Sequence, residues 1–221
     1  MDSSGQIASL VQALGDPDGH VRGRAAQSLI ALRDPAATPL LIEALQHQDE
    51  GARQLAARII GESGDARAAA ALIDVLDNPD DAIAKEAVVA LGTLKAPGAV
   101  DALTRALNSR DPGVRSVAAW ALGELKAAGV IDALVVALHD RAGPVRSAAA
   151  KALGDIGDVA AVDALIAALG DDFADVRQLA VWALGQTRDP RAVTSVTALL
   201  QDPDATVRRM AEQAIKRMRK K

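Results

Sequence analysis

The groups that could do chemistry in this 221-residue chain are three histidines, 29 acidic residues and an arginine that keeps returning in one fixed context. His20, His47 and His139 fall in different registers, and none has a second histidine or a patterned carboxylate at metal-ligand spacing. The acid pairs at 80–81 and 171–172 stand in turns ahead of helical segments, where capping of backbone N–H groups accounts for them. The absence of cysteine excludes thiolate ligands, cysteine nucleophiles and disulfides together. No glycine-rich phosphate loop, nucleophile elbow or recognisable Ser/His/Asp arrangement occurs. The expectation is a chain that is not an enzyme and holds neither metal nor cofactor.

The recurring arginine belongs to a repeat. The marks Val21-Arg22, Ala52-Arg53, Ile83-Ala84, Val114-Arg115, Val145-Arg146, Val176-Arg177 and Val207-Arg208 return every 31 residues without an insertion, with arginine in six of the seven. Leucine recurs at 10, 41, 72, 103, 134 and 165, and again four residues later in each unit, which places both on one helix face. Turn clusters such as "GDPDG", "SRDPG" and "QDPDA" separate these stretches, with Asp as N-cap and Pro as a stop. Each unit therefore reads as two short antiparallel helices. A glycine recurs at 61, 92, 123, 154 and 185, inside a helix, where it costs about 0.5–1 kcal/mol relative to Ala. Close approach of neighbouring helices is the expected return.

Half the residues are hydrophobic, so a large core is available, and the net charge of -4 argues against a dedicated nucleic-acid binder. No apolar run approaches the roughly 18 residues of a membrane span, and "MDSSGQ" lacks the features of a signal peptide. A soluble, cytoplasmic protein without membrane or nucleic-acid partners is expected. Seven hairpins that cannot bury their apolar faces singly must stack. The reading is an all-α α-solenoid forming one domain over 1–221, with repeats at about 3–33, 34–64, 65–95, 96–126, 127–157, 158–188 and 189–221. Glu212, Lys216 and Ser28, polar where other repeats carry small apolar residues or Gly, read as capping features.

Runs such as "GPVRSAAAKALGDIGDVAAVDALIAAL" resemble the short HEAT repeats of phycobilin lyase subunits and of designed proteins built from that consensus, over nearly the whole chain. The resemblance implies a right-handed solenoid. It also implies an internal ladder in which each arginine pairs with an Asp six residues earlier: Asp16 with Arg22, Asp140 with Arg146, Asp171 with Arg177, Asp202 with Arg208. That ladder is eroded at His47 and Arg53, at Asn78 and Ala84, and at Ser109 and Arg115, so the softest junction is expected between repeats three and four, over 78–100. The His-Glu pairs of the metal-dependent hydroxylase that shares this fold are absent. A subunit of a phycobilin or other cofactor lyase is the alternative that the resemblance brings.

On a helical wheel, the equivalents of 21, 25, 28, 29 and 32 form one apolar arc, and the equivalents of 23, 24, 27 and 31 lie opposite. Trp120 and Trp182, 62 residues apart, share the middle of this outward arc, which lines the concave surface in the family resembled. Exposed tryptophans are enriched at interface hot spots. Leu55, Arg58, Val89, Val117, Glu124, Lys151, Leu179 and Met210 join them on the arc. Two helix spacings put roughly 20 Å between the rings, with Lys151 between them over a floor of Ser147 and Ala148. The expected function is a protein-interaction scaffold, a monomer or weak homo-oligomer, that grips a protein or peptide along this surface.

Overall fold

The computed structural model describes residues 3–77, 81–127 and 129–219. The chain divides into two compact units, Met1–Ala102 and Leu103–Lys221. The first holds α1 (Ser3–Gln12), α2 (Gly19–Leu32), α3 (Ala37–Ala44), α4 (Glu50–Ser63), α5 (Ala69–Asp77) and α6 (Asp81–Thr93). The division falls inside α7 (Val100–Ala106). The second continues with α8 (Pro112–Leu125), α9 (Ile131–Ala137), α10 (Gly143–Ile156), α11 (Val162–Ala168), α12 (Ala174–Thr187), α13 (Val193–Ala198) and α14 (Ala205–Arg219). No strand occurs among the described residues, and no described helix is long and apolar enough to cross a membrane.

The 31-residue period becomes helical hairpins, as its spacing predicts. Even-numbered helices pack side by side, α2 on α4 and α4 on α6 in the first unit, then α8 on α10, α10 on α12 and α12 on α14 in the second. The odd-numbered helices α1, α3, α5, α9, α11 and α13 lie against their hairpin partners. The leucine column is the core: Leu41, Leu72, Leu134 and Leu165 are fully buried, each contributing about 1.5–3 kcal/mol. The recurrent glycines sit where these helices touch. A Cβ on Gly61 would stand 2.9 Å from Ala90 Cα, and one on Gly123 would stand 2.8 Å from Ala152 Cα, which no side chain tolerates.

Helix ends are fixed by the same period. The side chains of Asp18, Asp49 and Asp111 accept backbone N–H bonds at the starts of α2, α4 and α8. At the other end the chain turns through the left-handed region at Arg33, Gly64, Lys95, Lys126, Gly157 and Arg188, one per period. Only two of these six are glycine. The other four are Lys or Arg, whose charge suits the negative end of the helix dipole.

The arginine ladder exists with a different pairing from the one the resemblance implies. Each arginine does reach back six residues, but to a backbone carbonyl: Arg22 Nη1 donates to Asp16 O (2.8 Å), Arg115 to Ser109 O (2.9 Å), Arg146 to Asp140 O (2.8 Å) and Arg177 to Asp171 O (2.8 Å). The opposite Nε–Nη2 edge points into the next repeat. There Arg115 grips Asp140, Arg146 grips Asp171 and Arg177 grips Asp202, each through two bonds of 2.6–2.8 Å. The carboxylate partner thus lies 25 residues ahead, because the Asp side chain faces the preceding hairpin. Arg115 is therefore fully paired, although Ser109 precedes it by six. These arginine side chains are only 7–14% exposed. Their hydrogen bonds hold the carboxyls of Asp140, Asp171 and Asp202 below the usual carboxylate range, against burial, which pushes the other way.

Each ladder Asp also closes its own turn, Asp140 Oδ1 accepting from the N–H of Ala142 and Asp171 Oδ1 from that of Phe173. His47 and Ser109 keep this second role. His47 Nδ1 accepts from the N–H of Asp49 (3.0 Å) and Ser109 Oγ from that of Asp111 (3.2 Å). Neither can receive an arginine as a carboxylate does. Asn78 and Asp80 lie outside the described residues.

Candidate protein-binding site

The outward arc of the second unit is carried by α8, α10, α12 and α14. Val117, Trp120, Glu124, Lys151, Leu179, Trp182 and Met210 are all half-buried on it, while their neighbours Ala118, Ala119, Leu122, Ala150, Ala180 and Val181 are fully buried. Spacing alone thus separates a core face from a partly wetted one. Leu55, Arg58 and Val89 belong to the first unit. Leu55 and Arg58 line a cleft of about 410 Å³ with Gly23, Gln54 and Glu86, Arg58 lies 3.9 Å from Glu62, and Val89 is exposed. They form a surface of their own.

The two tryptophans share a register and differ in their surroundings. The Trp182 ring lies across Gly154, so tightly that a Cβ on that glycine would come within 2.4 Å of Trp182 Cζ3. Lys151 Nζ stands 5.5 Å from the ring centroid and is held by Asp155 Oδ2 at 2.7 Å. Setting the Gln186 amide by its hydrogen bonds lets its oxygen accept from Trp182 Nε1 (2.9 Å) and Arg217 Nη1 (2.6 Å). Trp182 is therefore locked by three neighbours, Gly154, Lys151 and Gln186. Trp120 is half-buried, and no hydrogen bond or cation-π contact engages it among the described residues.

Beside this arc lies an open cleft of about 550 Å³ lined by Gly143, Pro144, Ser147, Phe173, Asp175, Gln178 and Leu179. Phe173, 55% exposed, is its largest apolar wall. Arg146 sits 5.3 Å from that ring's centroid, and Gly143 is small because the ring crosses it at 3.1 Å from where a Cβ would be. The wheel does not single out Phe173, which occupies the N-cap of α12 rather than a helical register. Its signal was compositional: it is the single phenylalanine of the chain.

The histidines take unrelated places. His20 is exposed and its N–H meets the Asp18 cap, the His47 ring lies against Gly15, and His139 borders a second cleft with Val136 and Asp140. No group of three or more His, Asp or Glu side chains able to hold a metal ion is found among the described residues.

A family model described as HEAT repeats matches residues 7–92, 71–152 and 131–216. The chain belongs to the HEAT-repeat family. Among solved structures it is similar to an archaeal HEAT-like repeats protein from Thermococcus onnurineus NA1, at 16% identity and a TM-score of 0.69 over 99% of this chain and 97% of that one. It is also similar to the complex of CpcE and CpcF of phycocyanin lyase from Nostoc sp., at 22% identity and a TM-score of 0.61, covering 95% and 93% of the two chains. An engineered protein matches at 23% identity and a TM-score of 0.54, with 96% of each chain covered. No curated protein sequence matches the chain. At these identities the likeness shows the HEAT fold alone.

Proposed function

We propose that this HEAT-repeat chain is a non-enzymatic scaffold whose partner, a protein or peptide, docks on the outward arc that α8, α10, α12 and α14 carry in the second unit. The observation that carries the reading is Trp120. A large amphipathic ring stands half-buried on α8 with its N–H unsatisfied among the described residues, and such rings anchor interfaces. The fixed pair of Lys151 and Trp182, with Val117, Glu124, Leu179 and Met210 beside them, forms the surrounding surface. The cleft at Phe173 adds a place for an apolar side chain of the partner. Leu55, Arg58 and Val89 offer a second, smaller surface on the first unit.

Acrylamide quenching of single-tryptophan variants tests the surface: Trp120 should emit further to the red and quench more readily than Trp182. Capture of a partner from the native lysate should then fail with Trp120→Ala while far-UV circular dichroism is unchanged. A partner retained by that variant would move the site elsewhere. The lyase alternative predicts a change in bilin absorption on incubation with bilin and an acceptor apoprotein.

A further inference from the structure

The last arginine of the column and its first acid each stand as an unfilled half-rung. Arg208 on α14 donates Nη1 to the carbonyls of Asp202 (2.6 Å) and Pro203 (2.9 Å), the same hold Arg177 has on Asp171 and Asp172. Its guanidinium is thereby fixed in the orientation that, in Arg115, Arg146 and Arg177, presents the Nε–Nη2 edge to a carboxylate. Among the described residues no carboxylate meets that edge of Arg208, which is half-buried. Asp16 is the converse. Its Oδ1 accepts from the N–H of Asp18 (2.8 Å) and its carbonyl from Arg22, as the other ladder acids do, yet no arginine edge among the described residues reaches its carboxylate.

The repeat makes these halves match. An arginine edge meets the carboxylate 25 residues ahead, and stepping 25 residues past Arg208, less seven periods of 31, lands on position 16. A second pair follows by the same rule. Neighbouring even-numbered helices meet at an offset of 29 residues, as Gly61 with Ala90 and Gly123 with Ala152 show. Carried on by 29 and returned by seven periods, Glu212 falls on Arg24, and both side chains are exposed.

We propose that a second copy of this chain docks head to tail on the α13–α14 end, with the Arg208 edge on Asp16 and Glu212 opposite Arg24. The joint is looser than an internal one, because Lys216 occupies the register of the close-contact glycines. It rests on charge and is sensitive to salt. Being heterologous, it builds rows rather than closing a symmetric dimer.

Sedimentation velocity over about a hundredfold range of concentration at low ionic strength tests this, since mass action must show in the sedimentation coefficient. The coefficient should rise with concentration and stop rising at about 0.5 M salt, where the Debye length falls to about 4 Å. Arg208→Asp and Asp16→Arg should each abolish the rise. An equal mixture of the two variants should restore it, because every joint in a mixed row is again oppositely charged. Glu212→Arg, at an exposed position outside the core, should weaken association on its own, and Arg24→Glu should rescue it in the double variant. A coefficient independent of concentration, association indifferent to Arg208→Asp, or a mixture that stays monomeric would each overturn the proposal.

Discussion

The two units run the same ladder on different chemistry. In the second, Arg115, Arg146 and Arg177 each hold a backbone carbonyl behind and a carboxylate ahead. In the first, Arg22 and Arg53 keep the carbonyl, at 2.8 and 2.9 Å, while the position 25 residues beyond Arg22 is His47. The turn survives this exchange, because a ring nitrogen accepts the same N–H that a carboxylate would. The cross-link between repeats does not. Turn closure and inter-repeat pairing are thus separable jobs that one Asp combines.

The largest expected test of that contrast is Asp171→Ala. It strands a nearly buried Arg146 edge and opens a turn, and should cost about 2–4 kcal/mol in urea unfolding of the second unit. A loss under about 1 kcal/mol would show that the carbonyl hold alone carries the ladder. Next comes Gly154→Ala, whose methyl must displace the Trp182 ring and press on Ala183 Cα at 2.8 Å. We expect about 1–3 kcal/mol lost, together with a red shift of Trp182 emission. An unchanged spectrum would mean that the ring is not seated there.

Acid should narrow the gap between the units. The carboxyls of Asp140, Asp171 and Asp202 titrate below their unfolded values, so their contribution is complete above about pH 4 and drains away as the pH falls through their folded values. Unfolding of the second unit followed from pH 5 towards pH 2 should lose more stability than that of the first. Equal losses would remove the ladder as the source of the difference. The smallest effect is a gain: His47→Asp supplies the missing carboxylate opposite Arg22 and should stabilise the first unit by under about 1 kcal/mol, since the position is exposed. Hydrogen exchange should also be faster over residues 81–100 than over 143–187, in keeping with the eroded stretch.

The hairpins, their caps and the buried leucines were legible because each follows from spacing along one helix. The ladder's true partner was harder to read. Six back and 25 forward differ by one whole period, so a repeating sequence carries both pairings at once, and only the direction of the Asp side chain separates them. The candidate surface was legible by face and not by state. Trp120 and Trp182 are equivalent on the wheel, and it is Gly154, Lys151 and Gln186, on three different turns, that lock one of them. Phe173 went unnoticed because an N-cap has no helical register. The left-handed caps at Arg33, Lys95, Lys126 and Arg188 were hidden too, since no glycine marks them.

The 25-residue reach of the ladder also sets which changes of length the molecule can survive. If residues 118–148 were lost, Arg115 would meet Asp171 in place of Asp140, and the glycine contacts and left-handed caps would find equivalents just as good. Loss or gain of a number of residues that is not a multiple of 31 would break the 25-residue spacing of an arginine whose acid lies on the far side of the change. Recombination between repeats can therefore lengthen or shorten this protein only by whole periods, and a slip of a single residue is penalised far more heavily than the deletion of 31.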